Sequence, residues 1–282
     1  MLVRTVSLFT DYKAHGVSAP KQAASLTEYV LPAYGDVRNI LRPAILICPG
    51  GAYAWVSERE GEPVASVFNA AGYNAYVLYY TVAKNGSFPC ALMEAYEAIR
   101  YIRSNAKSQQ TDPDRVWICG FSAGGHLAAS TGILWKHPFT EELGYSKKEY
   151  RPDGMILGYP VISAGTYGHK DSFRNLLGER YCDELLSMNS LEQQVNGAVP
   201  PTFLWHTAAD KSVPVQNTLL LADALTKNGV ETEVHIYPRG AHGLSTARYD
   251  VLSPGRFDND PYIKNSVSTW TQDAIRFIRA DR

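Results

Sequence analysis

Ser122 has the sequence surroundings of a nucleophile. It lies in Gly120-Phe-Ser-Ala-Gly124, between an apolar run at 115–119 that predicts a strand and a stretch at 123–135 that predicts a helix. Glycines on both sides of the serine allow the two arms of a tight turn to approach closely, and the following helix aims its first amides at the same point. The alternative is a glycine-rich turn without chemistry, but the strand-to-helix context predicts a serine hydroxyl that attacks a carbonyl carbon.

A serine hydroxyl becomes a good nucleophile when a neighbouring base takes its proton, and His242 is the best candidate among the seven histidines. It lies in Gly240-Ala-His-Gly-Leu244, a loop directly after the last predicted strand, where the flanking glycines let the ring turn towards the serine. The other histidines precede the sheet or fall within predicted strands, on the helix behind Ser122, or in helix-end and inserted segments. We therefore expect His242 to be the general base.

The third member of such a system orients the imidazole and stabilises its positive form. Asp210 follows the strand predicted at 202–206, so the chain order is serine, aspartate, histidine, one of the known orders of such triads. Asp112 and Asp114 come before the nucleophile strand, and Asp223 lies within a predicted helix. We expect Asp210 to complete the triad.

The oxyanion that forms during attack needs two preorganised N–H donors. One is expected to be the amide of Ala123, directly after the nucleophile. The other is expected from Pro49-Gly-Gly-Ala-Tyr53, the loop after the first strand that we predict to be parallel, because small side chains there let the backbone reach the substrate. Gly51 and Ala52 both fit this role, and a plain Gly-Gly turn is the alternative.

Aromatic residues near predicted strand ends are candidates to line an acyl or sugar pocket. They are Tyr53, Trp55, Tyr80, Phe121 and Tyr159, with Pro160 as a further candidate for substrate binding. The chain has 18 tyrosines, so packing in the core is the alternative for each of them. The sequence contains no H-E-x-x-H pattern and no glycine-rich dinucleotide or phosphate loop. We expect neither a metal nor a cofactor.

The elements that must position these residues alternate between strand and helix along most of the chain. Strands are predicted near 3–9 and 26–31 and at 44–48, 75–80, 115–119, 155–159, 202–206 and 233–237, and helices at 63–71, 91–106, 123–135, 214–227 and 263–279. This alternation predicts an α/β fold with a mainly parallel, doubly wound sheet. Within the helix at 91–106 we expect Glu94, Glu97, Arg100 and Arg103 to face away from the core.

The polar segment 163–199 interrupts this alternation and is too long for a simple connection. It predicts a small helical cap inserted between two strands. No repeat, low-complexity stretch or Pro/Gly/Ser-rich linker divides the chain. We therefore expect residues 1–282 to form a single domain that carries this cap.

Charge and cysteine usage narrow the expected partners and compartment. Lysine and arginine number 27 against 28 acidic residues, a net charge of −1 that argues against a nucleic-acid partner or a charged membrane surface. The N-terminus has no basic start and no long apolar run, so we expect neither a signal peptide nor a membrane span. The four cysteines form no C-x-x-C pair, which favours buried thiols and a cytoplasmic location. Self-association stays open.

A series of short motifs follows the chain in a fixed order. They are Cys48-Pro-Gly-Gly-Ala-Tyr53, Ser57-Glu-Arg-Glu60, Pro63-Val-Ala65, Gly120-Phe-Ser-Ala-Gly-Gly-His126, Leu157-Gly-Tyr-Pro-Val161, Ser172-Phe-Arg-Asn-Leu-Leu-Gly178, Pro200-Pro-Thr-Phe-Leu-Trp-His-Thr207 and Gly240-Ala-His-Gly243. Many hydrolases share G-x-S-x-G alone, whereas the whole series is much more specific. From about residue 42 to residue 244 the chain thereby resembles the small esterases of the acetyl-xylan-esterase and feruloyl-esterase-like branch of α/β-hydrolases.

The resemblance implies the α/β-hydrolase fold, the triad Ser122, Asp210 and His242, and removal of short acyl groups, acetyl above all, from a carbohydrate. Cys48 stands where many relatives have a histidine, and Ala52 where a third glycine is common, a change expected to narrow the acyl site. Since no secretion signal is expected, the predicted substrate is an acetylated oligosaccharide or another small ester rather than polymeric xylan. A peptidase of the prolyl-oligopeptidase type and a hydrolase-fold receptor without turnover are the alternatives.

Overall fold

Eight strands form one sheet in the computed structural model, which describes residues 1–33, 35, 40–251 and 260–280. The strands are β1 (Leu2–Ser7), β2 (Ser25–Val30), β3 (Arg42–Cys48), β4 (Asn74–Tyr79), β5 (Thr111–Phe121), β6 (Gly154–Gly158), β7 (Thr202–Thr207) and β8 (Thr232–Tyr237). Their order across the sheet is β1-β2-β4-β3-β5-β6-β7-β8. The β1–β2 and β2–β4 pairs are antiparallel and the remaining pairs are parallel, which confirms the predicted mainly parallel sheet.

Helices connect the strands and cover both faces of the sheet. In the described part of the chain they are α1 (Glu62–Ala70), α2 (Cys90–Ser104), α3 (Ala106–Gln109), α4 (Ser122–Ile133), α5 (Pro138–Glu142), α6 (Lys170–Leu177), α7 (Asp183–Met188), α8 (Gln216–Lys227), α9 (Pro261–Asn265) and α10 (Trp270–Ala280). Helices α2, α4 and α8 pack on one face, and α1 and α10 on the other. Within the described ranges, no helix combines the length and apolar content that spanning a bilayer requires.

Strand β3 shows why the central strands are apolar throughout. Ala44, Leu46 and Cys48 face the cluster formed with α2, α4 and α8, whereas Ile45 and Ile47 face the cluster formed with α1 and α10. A parallel strand covered on both faces needs apolar side chains at successive positions. The carboxyl ends of β3, β5, β7 and β8 meet at one edge of the sheet, so the loops that follow them are neighbours.

The turn from β5 into α4 passes unusually close to the end of β3. A side chain at Gly124 would place its Cβ 2.1 Å from the carbonyl oxygen of Cys48, and one at Gly120 would place it 2.2 Å from that of Gly124. Ser122 lies between them with φ of 54°, in the left-handed region that non-glycine residues seldom adopt. The turn therefore needs glycine at both flanking positions.

The exposed face predicted for α2 is wrong at three of its four positions, since Arg100 alone of the four has an exposed side chain, 41% exposed. Glu94 and Glu97 are buried, and the Arg103 side chain, 11% exposed, forms an ion pair with Asp153 at 2.7 Å. Glu97 accepts a hydrogen bond from the Tyr145 hydroxyl at 3.1 Å. These partners lie far away in the sequence, so helical periodicity could not reveal that α2 is covered on this face as well.

Glu94 links three segments of the chain. Its carboxylate accepts hydrogen bonds from the backbone amide of Thr81 at 2.6 Å, from the Thr81 hydroxyl, and from the Tyr12 hydroxyl at 2.6 Å. Burial raises the pKa of Glu94 to about 7, although the bonds from Thr81 and Tyr12 oppose that rise. The carboxylate thereby fixes the chain just after β4 against α2 and the N-terminal segment.

The C-terminal helix predicted at 263–279 is divided. Helix α9 ends at Asn265 and α10 begins at Trp270, with a turn of 3₁₀ helix at Val267–Thr269 between them. The hydroxyls of Ser268 and Thr269 donate to the carbonyl oxygens of Lys264 and Ser266, which competes with regular helical bonding. Small shifts also occur at the other helix ends. The segment predicted as a cap contains α6 and α7.

We expect Gly124→Ala to destabilise the fold by about 1–3 kcal/mol, because the added methyl group has no room beside the carbonyls of Cys48 and Pro49. Denaturant unfolding monitored by circular dichroism measures the change. Gly197→Ala is the matched control, since a Cβ there meets nothing closer than 3.7 Å. An unchanged unfolding midpoint for Gly124→Ala would show that the turn can relax.

The raised pKa of Glu94 predicts a pH dependence of stability. A folded-state pKa near 7 against an ordinary value of 4.5 means that the folded protein holds a proton that the unfolded chain releases between these values. This contribution is fully present below pH 4.5 and is lost as the pH rises through 7. We expect Glu94→Gln to remove this part of the decline in melting temperature between pH 5 and pH 8. Glu97→Gln is the control, and an unaltered slope in Glu94→Gln would contradict the prediction.

Candidate active site

The structure brings Ser122, His242 and Asp210 into one hydrogen-bonded row. Ser122 begins α4, Asp210 follows β7, and His242 lies in the loop after β8. The serine hydroxyl donates to His242 Nε2 at 2.8 Å, and His242 Nδ1–H donates to Asp210 Oδ2 at 2.6 Å. Ser122 is 8% exposed and the His242 side chain 21%, so the row is buried but reachable from outside. This geometry can move a proton from the hydroxyl to the imidazole.

Asp210 is held as a carboxylate by several donors. Its Oδ1 accepts the backbone amides of Ser212 at 2.8 Å and Val213 at 3.0 Å, while His206 Nε2 lies 3.4 Å from Oδ2. Burial alone would raise the pKa of Asp210, but the hydrogen bonds from His206 and His242 outweigh it and hold the pKa well below its usual value. The carboxylate is thus charged and fixed in orientation beside the imidazole.

The predicted oxyanion donors lie in two segments that meet at Ser122. Ala123 lies in the first turn of α4, where amides have no partner within the helix. In the loop 49–53, the amide of Gly50 donates to Glu60 Oε2 at 2.7 Å, whereas those of Gly51 and Ala52 donate to no acceptor among the described residues. Both amides therefore remain candidates for the second donor.

The loop 49–53 is held in a strained shape. Ala52 and Tyr53 have φ of 54° and 55°, values that side-chain-bearing residues adopt only where the surroundings enforce them. Asn175 Nδ2, from α6, donates to the carbonyl of Ala52 at 2.8 Å. The Tyr53 hydroxyl donates to His126 Nδ1 at 2.9 Å, and His126 Nε2–H donates to the carbonyl of Asn189 at 2.9 Å. Burial lowers the pKa of His126 to about 4, which keeps its ring neutral in this chain of bonds.

Most of the aromatic residues predicted to line a substrate pocket pack in the interior instead. Tyr53 is buried against His126, and the buried Tyr80 donates its hydroxyl to the carbonyl of Pro49 at 2.6 Å. Both support the loop 49–53 from behind. Their hydroxyls are engaged with protein groups, and neither side chain lines the cavity at Ser122, although Tyr80 lies in the wall of a second, neighbouring cavity.

Phe121, Tyr159 and Pro160 are likewise buried rather than lining the cavity at Ser122. The ring of Phe121 lies 5.7 Å from those of Tyr159 and Trp270, centroid to centroid. Pro160 packs so closely on α4 that a Cβ at Gly125 would lie 2.8 Å from it. These residues lie near strand ends, as predicted, but their side chains turn towards the core.

A cavity of about 360 Å³ opens on Ser122 and His242. Its remaining wall is formed by Gly51, Ala52, Trp55, Ser57, Arg59, Glu60, His169, Ser212 and Gly243. Trp55 alone of the predicted aromatic residues is among them. The wall is mainly polar because of Ser57, Arg59, Glu60, His169 and Ser212, to none of which the sequence had assigned a role in the site. No cluster of three or more His, Cys, Asp or Glu able to hold a metal occurs in the described ranges.

Glu60 links the loop 49–53, which carries the predicted oxyanion donors (the oxyanion loop), to the loop 238–245, which carries His242 (the histidine loop). Its buried carboxylate accepts the Gly50 amide through Oε2 and the Tyr159 hydroxyl through Oε1, both at 2.7 Å. The Tyr159 oxygen in turn accepts the amide of Ser245 at 2.8 Å, three residues after His242. The Tyr159 ring also packs edge-on against the His242 imidazole, with 5.0 Å between centroids.

Arg59 makes a second connection to the same loop. Its guanidinium donates to the carbonyl of Gly243 at 3.1 Å, and its own carbonyl accepts the Ser245 hydroxyl at 2.6 Å. The sequence contains these residues in Ser57-Glu-Arg-Glu60, the second motif of the series. Apart from that motif, no spacing in the sequence indicates that they meet a loop more than 180 residues away.

Comparison with known proteins decides the family. The BD-FAE profile matches residues 34–225, more than half of the chain. The chain belongs to the BD-FAE family. BD-FAE membership confirms the predicted resemblance to acetyl-xylan-esterase-like hydrolases and places the chain among α/β-hydrolase esterases.

Two curated bacterial relatives match most of this BD-FAE chain. It is 37% identical over 262 residues to endo-1,4-beta-xylanase B of Butyrivibrio fibrisolvens, which covers 86% of the chain and 41% of that protein. It is 33% identical over 207 residues to an acetylxylan esterase of Xylanibacter ruminicola, which covers 71% of the chain and 41% of the relative. The chain thus spans about two fifths of the length of these curated relatives.

Solved structures match the BD-FAE chain over nearly its whole length. An acetyl ester-xyloside bifunctional hydrolase from Caldicellulosiruptor lactoaceticus has a TM-score of 0.81 at 33% identity, covering 99% of this chain and 96% of that one. A carboxylesterase from Lactobacillus plantarum has a TM-score of 0.86 at 29% identity, covering 100% and 98%. These matches confirm the α/β-hydrolase fold.

We expect Glu60→Gln in this BD-FAE protein to lower kcat by about tenfold or more with little change in KM. Glutamine has an NH2 group in place of one carboxylate oxygen, and this group cannot accept the hydrogen bond from Gly50 or Tyr159. Either the oxyanion loop or the histidine loop would therefore shift. Steady-state kinetics on p-nitrophenyl acetate and a melting curve measure the effect. Glu62→Gln, an exposed carboxylate two residues away, is the control. A rise in KM at unchanged kcat would contradict a positioning role.

Proposed function

We propose that the chain is a serine carboxylesterase that removes short acyl groups, acetyl above all, from the hydroxyls of a carbohydrate. The observation that carries the proposal is the row Ser122–His242–Asp210 at the base of a polar cavity. A nucleophile, a base and an orienting carboxylate within hydrogen-bond distance are what acyl transfer requires. The named activities of the matched esterases support it.

In the proposed mechanism, Ser122 Oγ attacks the ester carbonyl carbon while His242 Nε2 takes its proton. The oxyanion accepts hydrogen bonds from the amide of Ala123 and from the amide of Gly51 or Ala52. His242 then gives the proton to the departing sugar oxygen, which leaves an acetyl group on Ser122. Water attacks this acyl-enzyme with His242 again as the base, and acetate leaves. Asp210 stays charged throughout and stabilises the imidazolium.

The polar side chains of the cavity wall favour an ester with a polar alcohol part and disfavour one with a long acyl chain. Arg59, Ser57 and Ser212 offer hydrogen-bonding groups, and Trp55 is the large apolar side chain in the wall. An octanoyl chain would have to lie against these groups and desolvate them without compensation, which is costly. A sugar hydroxyl array replaces the water on such groups with hydrogen bonds. The relatives named for acetylxylan and acetyl ester-xyloside activity support acetylated xylosides as substrates.

We expect Ser122→Ala to abolish turnover with the fold intact, and Asp210→Asn to lower kcat by up to about 10⁴, because the imidazole loses its orienting charge. Hydrolysis of p-nitrophenyl acetate, butyrate and octanoate, with acetylated xylo-oligosaccharides alongside, measures activity and chain-length preference. We expect rates to fall from acetate to octanoate. Asp223→Asn, an exposed carboxylate on α8, is the control for Asp210→Asn. Wild-type turnover by Ser122→Ala, or no activity on any sugar acetate, would refute the proposal.

A further inference from the structure

Trp55 separates two cavities on the surface of the molecule. Its side chain is in the wall of the 360 Å³ cavity at Ser122 and also in the wall of a neighbouring cavity of about 190 Å³. The residue is 61% exposed, although burying a tryptophan is strongly favourable. An indole held in solvent between two concave sites is available for a ligand that extends from one to the other.

The second cavity is built by segments that are tied to the oxyanion loop. The amide of Ala83 donates to the carbonyl of Tyr53 at 2.8 Å, so the turn after β4 is anchored to the loop that carries the expected oxyanion donors. Across the cavity, the amide of Lys21 donates to the carbonyl of Asn85 at 2.8 Å, and Asn85 Nδ2 donates to Gln22 Oε1 at 3.2 Å. The wall is therefore fixed relative to Ser122.

The side chains around this second cavity match a neutral, hydroxyl-rich ligand. Gln22 and Asn85 carry amide groups that both donate and accept, Ser25 offers a hydroxyl, and Lys84 offers an ammonium donor. None of the described residues that line it is acidic. Tyr79 and Trp55 add aromatic surface. This mixture of aromatic faces and two-way hydrogen-bonding groups is suited to a sugar, which presents an apolar ring face and hydroxyls at its edge.

We propose that the second cavity is a subsite for the sugar units next to the acetylated one, with Trp55 as the stacking surface between the two. The proposal rests on the proposed function and narrows its substrate class to acetylated oligosaccharides of at least two units. The acetylated unit lies at Ser122, and the neighbouring units cross the indole and bond to Gln22, Lys84 and Asn85. A long acyl chain would not gain from this polar wall.

Kinetics with acetylated xylose and acetylated xylotetraose test the subsite. We expect the wild type to have a higher kcat/KM on the tetraose, and expect Gln22→Ala and Lys84→Ala to lower that value by about two- to tenfold through KM. Both side chains lie outside the cavity at Ser122, so p-nitrophenyl acetate and acetylated xylose should be turned over as in the wild type. Lys107→Ala is the matched control, because Lys107 is exposed and distant from both cavities. It lies on α3 before the start of β5, whereas Ser122 lies at the opposite end of that strand.

Trp55 is tested by binding, independently of turnover. Unacetylated xylotetraose added to the Ser122→Ala variant should shift its tryptophan fluorescence. The same sugar added to the double variant Ser122→Ala, Trp55→Ala should cause no shift. Trp55→Phe should retain most of the binding, whereas Trp55→Ala should weaken it about five- to tenfold.

The outcomes separate the two proposals. Equal kcat/KM on acetylated xylose and xylotetraose, with no effect of the Gln22 and Lys84 substitutions, would overturn the subsite and leave the esterase proposal standing. Hydrolysis of p-nitrophenyl acetate without turnover of either sugar acetate would overturn the carbohydrate substrate and the subsite with it. A chain-length effect that Lys107→Ala abolishes as well would also overturn the assignment to this cavity.

Discussion

Close approach of three main-chain segments around Ser122 is the constraint on which the site depends. The end of β3, the turn from β5 into α4 and the first turn of α4 meet so tightly that Gly50, Gly120 and Gly124 have no room for a Cβ. A Cβ at Gly50 would lie 2.9 Å from the Cβ of Ser122 itself. The glycines at 50–51 and those at 120–124 are therefore needed for the same reason, the close packing of these segments against each other. This packing brings the proposed nucleophile and the oxyanion loop together.

Such a turn is strained, and the surrounding polar contacts over-determine it. Ser122, Ala52 and Tyr53 all have positive φ, and each such residue costs about 1–3 kcal/mol. The strain in the oxyanion loop is offset by its hydrogen bonds with Tyr80, His126 and Asn175, which come from three different parts of the chain. Because these bonds are buried or partly buried, breaking any one leaves an unsatisfied group and restores the cost of strain. The proposed oxyanion donors are thereby held in place before a substrate binds.

Two buried carboxylates divide the work of alignment. Asp210 fixes the imidazole ring of His242 directly, whereas Glu60 fixes the backbone on either side of the cavity through Gly50 and Tyr159. Among the described residues, backbone amides, imidazoles and a tyrosine hydroxyl donate to these carboxylates, and neither forms an ion pair with lysine or arginine. Catalytic geometry must hold within about half an ångström, and networks of this kind supply that precision.

The placement of Ser122, Asp210 and His242 was predictable because each follows a strand, and carboxyl ends of parallel strands converge at one sheet edge. The sheet itself was predictable for the same reason, since apolar runs of strand length alternated with helical patterns. Side-chain direction at and beyond a strand end has no such periodicity, so Phe121, which ends β5, and Tyr159, which follows β6, could not be assigned to core or pocket. Glu60 was missed because its partner Tyr159 is 99 residues away, and Glu94 because Tyr12 is 82 residues away.

The segment between β6 and β7 supports the oxyanion loop through hydrogen bonds as well as forming part of the outer surface. Asn175 on α6 bonds the carbonyl of Ala52, and the carbonyl of Asn189 orients His126, which in turn holds Tyr53. His169, at the start of α6, also contributes to the cavity wall. A displacement of this segment would therefore change the donor geometry and the cavity shape together. Its polar sequence follows from that role, because it contacts backbone groups and a polar cavity rather than covering an apolar one.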